Sequence, residues 1–146
     1  MIALVQRVNH ASVKVENKTV ARINRGLLVL VGVEKHDSEK NARALFNKLR
    51  KFRLFSDENG KTNLNIEQVN GEILLVPQFT LPAETNKGNR PGFDPVADPQ
   101  TGKYLFEVLV KHFQEQTDLT IATGVFQVYM QVLLENDGPM TFWLQK

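Results

Sequence analysis

The sequence predicts one mixed α/β or α+β domain in which two helices pack on one side of curved β-sheets. Three observations lead there. The chain has 146 residues, a usual length for one domain around one core. Its apolar stretches fall into two periods, a short one that reads as strand and a longer one that reads as helix. These alternate as β-rich, helix, β, loop, helix, β, with no repeat, linker or low-complexity tract between them.

"IALVQRV" (2–8) and "ASVKVE" (11–16) alternate apolar and polar residues, as half-buried strands do. "GLLVLVGV" (26–33) is continuously apolar and rich in β-formers, which predicts a central strand covered on both faces. Asp37 or Ser38 then caps a helix that carries Ala42, Leu45, Phe46, Leu49 and Phe52 on one stripe. "DENG" (57–60) is a turn, and "EILLVPQFTL" (72–81) is a second buried strand, interrupted by Pro77. From Pro82 to Gly102 the chain is rich in Pro, Gly, Asn and Thr without periodicity, and such long stretches in a compact domain are usually functional or mobile. A second helix presents Leu105, Val108, Leu109, His112 and Phe113 on one face. The chain closes with strands in "GVFQVYMQVLL" (124–134) and "MTFWL" (140–144). Between them Asn136-Asp137-Gly138 alone would make a hairpin turn, but Pro139 spoils that simple reading, because it lacks an N–H and restricts the residue before it.

Composition excludes several functions. Apolar residues make up 42% and charged residues 23%, both ordinary for a folded globular chain. No apolar run approaches a membrane span, and "MIALVQRVNH" reads as a strand rather than a signal peptide. Cysteine is absent, which removes disulfides, thiolate metal sites and cysteine catalysis and makes a cytoplasmic location the expectation. The net charge of +2 announces no broad nucleic-acid face. Lys and Arg cluster in "NKLRKFR" (47–53), which suits a solvated helix face, and in "NKGNR" (86–90), which lies in the irregular loop.

The usual catalytic constellations are missing. Ser12, Ser38 and Ser56 lie in no G-x-S-x-G elbow. His10, His36 and His112 are far apart, with no H-E-x-x-H or carboxylate-histidine spacing, so neither a metal nor a cofactor is expected. His112 falls on an apolar helix face and reads as a packed core histidine. What remains is a set of polar residues at the ends of apolar strands: Gln78 and Thr80 in "VPQFTL", and Asn136-Asp137 beside Gly138-Pro139. From composition alone, Gln78 and Thr80 suit either the wet face of an edge strand or a site, and Gly138-Pro139 suits a turn.

Taken together, these stretches resemble the D-aminoacyl-tRNA deacylases, also called D-tyrosyl-tRNA deacylases, over nearly the whole chain. "LVQRVNHASVKV" resembles the family's opening, "RGLLVLVGV" its first core strand, and "KFRLFSDENGKTNLN" its helix exit and hairpin. The specific marks are "QFTL" (78–81), "KGNRPGF" (87–93) and "NDGPMT" (136–141), in this order. The resemblance implies a single domain over 1–146, built as a barrel-like pair of β-sheets with helices against it and working as a homodimer. It implies hydrolysis of the ester between a D-amino acid, or glycine, and the 3′ end of tRNA, with L-aminoacyl-tRNA spared. It implies a cis Gly138-Pro139 peptide whose two carbonyl oxygens enter the partner's pocket where an L side chain would lie. Arg7 resembles the arginine that holds this loop, although from the residues alone it could equally be a surface arginine on a strand.

The resemblance places Gln78, Phe79 and Thr80 at the catalytic wall, with backbone N–H groups around Phe79 and Thr80 available to a developing oxyanion. Thr80 as nucleophile ranks below a route in which the terminal 2′-hydroxyl helps activate water, because no base is placed to serve a lone threonine. Met130 is implied to line the adenosine pocket. Lys87 and Arg90 are the candidate phosphate contacts. Pro77 stands where the family usually has serine, and "QVYM" (127–130) stands where it has "GADM"; Tyr129 there suits either base stacking or packing on its strand neighbours. Two other classes remain in view: a non-catalytic tRNA- or RNA-binding module, and a hydrolase of small esters using Thr80 without RNA.

Overall fold

A computed structural model describes residues 1–146. Strands β1 (Ile2–Val15), β2 (Lys18–Ile23) and β3 (Gly26–Gly32) are followed by α1 (Glu39–Lys51). Then come β4 (Phe55–Ser56), β5 (Thr62–Leu64), β6 (Glu72–Pro77), α2 (Pro99–Gln116), β7 (Ile121–Thr123) and β8 (Gln131–Gln145). Six strands form one sheet in the order β2-β1-β3-β6-β7, with β8 on β1 as well; β4 and β5 pair separately around the "DENG" turn.

The sheet curls into a nearly closed, barrel-like wall because β1 is shared. Its first half pairs with β3 and its second half with β2, while β8 runs antiparallel along its whole length. β2 thereby returns towards β6 and β7. Leu28 on β3 and Leu74 and Val76 on β6 point into the curl, against Val8, Ala11, Val13, Ala21 and Ile23. The alternate residues Leu27, Val29, Ile73 and Leu75 point outward, against Leu45, Phe46 and Leu49 of α1 and Leu105, Leu109 and Phe113 of α2. Both helices therefore lie on one side, and β3 and β6 are buried on both faces, as their continuous apolar runs require. Ser38 stands at the N-cap of α1, where Asn41 Oδ1 accepts from its N–H at 2.9 Å and from its hydroxyl at 2.8 Å.

Four boundaries differ from the sequence reading. β1 is one strand where two were expected, its interruption absorbed by a register shift around Asn9. β2 forms in "KTVARI", for which the sequence predicts no strand because its solvent side is mostly polar. β6 stops at Pro77, and residues 78–81 turn away. Proline leaves the ladder there without a donor, and the Gln78 N–H makes the last bond, to the Val31 carbonyl at 2.7 Å. α2 starts at Pro99 inside the expected loop, with Asp98 accepting from the Gln100 and Thr101 N–H groups at 3.0 Å.

The C-terminal region differs most. Residues 124–130 form a loop instead of the start of a strand, and Gln127 adopts φ +60° there. Nor is there a hairpin turn at Asn136–Pro139. β8 continues in one direction past that point, pairing Val8 with Asn136 and Gln6 with Thr141. Across that interval two steps along β1 face five along β8, so the extra residues leave the ladder as a bulge.

Candidate active site

The bulge is built from its base upward. Asn136 donates through Nδ2 to the Arg7 carbonyl at 3.0 Å and to the Met140 carbonyl at 3.3 Å, closing the two ends of the loop. Arg7 is 9% exposed, so the surface reading of this residue does not hold. Its Nε donates to the Asp137 carbonyl at 3.2 Å and lies 2.8 Å from Asp137 Oδ2, while Nη1 donates to the Leu54 carbonyl at 2.6 Å. The guanidinium fork thus ties the residue before Gly138 to the segment leaving α1, a geometry that one ammonium could not reproduce. Between these clamps Gly138 and Pro139 are exposed, joined by a cis peptide. A Cβ on Gly138 would stand 2.8 Å from Asn136 Oδ1, so glycine is what lets the loop close over that side chain.

A second region forms where β6 ends. A cavity of about 690 Å³ opens there between β3, β6, the start of α2 and the 124–130 loop. That volume lies in the range of sites for drug-sized ligands. Val31, Val76 and Pro77 line one side, Pro99 and Phe106 another, and Phe126 and Met130 a third. Gln78 and Phe79 belong to the lining; Thr80 lies next to it in the chain, outside the lining. The N–H groups of Phe79 and Thr80 donate to nothing in the chain, whereas that of Gln78 is spent on Val31. Two adjacent unpartnered donors at a cavity edge can receive the oxygen of a polarised ester.

Thr80 Oγ1 accepts from Gln78 Nε2 at 2.6 Å. An amide N–H is a donor and cannot remove the hydroxyl proton. Asp98 lines the other side of the cavity, but hydrogen bonds from the Thr101 side chain, then from backbone N–H groups, hold its carboxyl below the usual carboxylate value. It serves as the helix cap and is a poor base.

Met130 is half-buried in the lining, and its sulfur lies 3.2 Å from the Val125 nitrogen, which pins the loop beneath it. Lys87 and Arg90 are exposed on the segment closed by the paired Glu84 and Gly92, outside the cavity lining. The sequence reading missed Phe106 and Phe126 as lining residues and missed the helix start at Pro99. The Asp98-Pro99 cap signal could have located that start.

Residues 4–145 match the family model described as D-Tyr-tRNA(Tyr) deacylase. The chain belongs to this family. It is 50% identical to a D-aminoacyl-tRNA deacylase of Aliivibrio salmonicida over 147 residues, covering 99% of each chain. It is 53% identical to one of Dichelobacter nodosus over 144 residues, again covering 99% of each. Among solved structures it is similar to a c-Myc DNA Unwinding Element Binding Protein, with TM-score 0.95, 34% identity and 100% and 99% of the two chains covered. A probable eukaryotic D-amino acid tRNA deacylase, with TM-score 0.80, 18% identity and 99% and 98% covered, shares the fold. No helix is long and apolar enough to cross a membrane.

Proposed function

We propose that this chain hydrolyses the ester bond of D-aminoacyl-tRNA and of glycyl-tRNA, releasing the free amino acid and tRNA, and spares L-aminoacyl-tRNA. The observation that carries the reading is the pair of unpartnered N–H groups, on Phe79 and Thr80, at the edge of the 690 Å³ cavity. The terminal adenosine enters beside Met130, and the ester carbonyl is turned towards these donors. Water adds to the carbonyl carbon, and its negative oxygen is received by the two N–H groups. The bond to the ribose 3′-oxygen then breaks, and that oxygen takes a proton. The terminal 2′-hydroxyl assists the water, since Thr80 has an amide donor beside it and no base. Thr80 and Gln78 hold the strand end in shape.

Chirality is set by rejection. The exposed Gly138-Pro139 loop enters the pocket of a second copy, where its carbonyl oxygens occupy the space that an L side chain needs. Glycine and D side chains avoid that space. Arg7 and Asn136 hold the loop in position. The homodimer is supported by β8, whose outer edge pairs with nothing over 15 residues and which exposes Leu133, Leu134, Phe142 and Trp143. A two-fold axis gives both pockets the same loop. Lys87 and Arg90 contact phosphates near the 3′ end, no cofactor takes part, and the reaction belongs to the cytoplasm, with its substrate.

Side-by-side deacylation of D- and L-tyrosyl-tRNA tests this. Turnover of the D substrate alone is the expected result. Binding without turnover of either would leave an RNA-binding module instead, and equal turnover of a ribonuclease-treated ester would leave a general esterase.

A further inference from the structure

Tyr129 lines the cavity and yet is 100% exposed, so it stands at the mouth with its ring free of protein contacts. The other exposed aromatics of this region, Phe79 and Phe93, lie against each other, with ring centroids 5.6 Å apart. The loop that presents Tyr129 includes Gln127 at φ +60°, a conformation that side-chain-bearing residues adopt at an energetic cost and that tends to mark functional segments. The apolar residues of β8 that suit a dimer contact begin beyond this loop, at Leu133.

We propose that Tyr129 is a specificity-determining residue that stacks on the penultimate base of the tRNA 3′ end. The inference rests on the deacylase reading above. If the terminal nucleoside fills the cavity, the chain leaves through its mouth, and the next nucleotide lies one phosphodiester link away. A flat ring fully in solvent at that place is a stacking platform that accepts any base, because every base has a π-face. A tyrosine serves this well, with an apolar face and a polar tip that tolerates water.

The test compares binding of adenosine and of the trinucleotide CCA by titration calorimetry, in the wild-type protein and in Tyr129→Ala and Tyr129→Phe. CCA should bind the wild type more tightly than adenosine. Tyr129→Ala should shrink that advantage at least about fivefold, the scale of one base–aromatic stack, and Tyr129→Phe should keep it. With D-tyrosyl-tRNA, the Tyr129→Ala loss should fall on KM. Sedimentation should show the same oligomeric state for all three proteins. The proposal is overturned if CCA and adenosine bind the wild type equally, if Tyr129→Ala keeps the CCA advantage, or if Tyr129→Ala changes the oligomeric state, which would make Tyr129 an interface residue. Absence of deacylation by the wild type would sink the deacylase reading, while the two-ligand comparison would still decide the role of Tyr129.

Discussion

Replacing Arg7 should loosen the Gly138-Pro139 loop and lower stability at once, and the structure separates the two effects. Arg7→Met removes every donor with little change in apolar bulk. The Leu54 carbonyl, on a residue 1% exposed, then loses its 2.6 Å partner. Stranding a buried acceptor costs ~1–3 kcal/mol. The Asp137 carboxylate, with its side chain 39% exposed, regains water, so losing that ion pair adds only ~0.2–1 kcal/mol. The sum is about 1–4 kcal/mol, and at ~2–4 °C per kcal/mol for a chain of this size Tm should fall by roughly 2–16 °C. Arg7→Lys keeps the charge but has one nitrogen for two directions, so it should recover part of the stability and little of the loop geometry. Asp137→Asn keeps the carbonyl that Arg7 Nε binds and should shift Tm by no more than about 4 °C. Thermal unfolding gives the first quantity, and the ratio of D- to L-tyrosyl-tRNA deacylation rates gives the second. Both Arg7 variants should erode that ratio. A folded Arg7→Met protein with unchanged Tm and an unchanged ratio would show that the guanidinium neither carries the Leu54 contact nor positions the loop.

Four further outcomes are expected. Thr80→Val should keep activity within about tenfold, the scale of one hydrogen bond, whereas a substrate lacking the terminal 2′-hydroxyl should react far more slowly; a folded but inactive Thr80→Val with a trappable acyl-enzyme would make Thr80 the nucleophile. Gln127→Gly should raise Tm by a few degrees, because relief of the φ +60° backbone, ~1–2 kcal/mol, exceeds the ~0.5–1 kcal/mol entropic penalty of glycine; a lowered Tm would contradict that conformation. Asp98→Ala should lower Tm at neutral pH. Asp98 has a depressed folded pKa, so its contribution is full above its ordinary value of 3.8 and is lost as pH falls below that; a Tm gap that persists undiminished in strong acid would contradict the charged cap. If Lys87 and Arg90 neutralise about two phosphates, log affinity for tRNA should fall against log salt with a slope on the order of −1.5 to −2, and a slope several times steeper would reveal an extended basic face.

The sequence by itself determined the parts of this protein that rest on local periodicity and on contiguous motifs. The double-sided burial of β3 and β6 is written in unbroken apolar runs, and the inner faces of α1 and α2 in stripes at helical spacing. "QFTL", "KGNRPGF" and "NDGPMT" pointed to the family that the comparisons then established. What only the tertiary structure decided depends on partners distant in the chain. Whether Asn136–Pro139 turns back or bulges is settled by the register of β8 against β1, more than 120 residues away in sequence, and not by the turn residues themselves. Arg7 became a buried clamp because the segment after α1 brings the Leu54 carbonyl to it. The free N–H groups of Phe79 and Thr80 exist because Pro77 ends the ladder and Val31 takes the last available bond. The sequence places Tyr129 inside a strand, since its neighbours are apolar and β-forming; the loop at Gln127 instead carries its ring into solvent, at the mouth of a cavity whose other walls come from β3, the end of β6 and the start of α2. Local propensity cannot encode such placements, because packing and cross-strand pairing outweigh the small preferences of single residues.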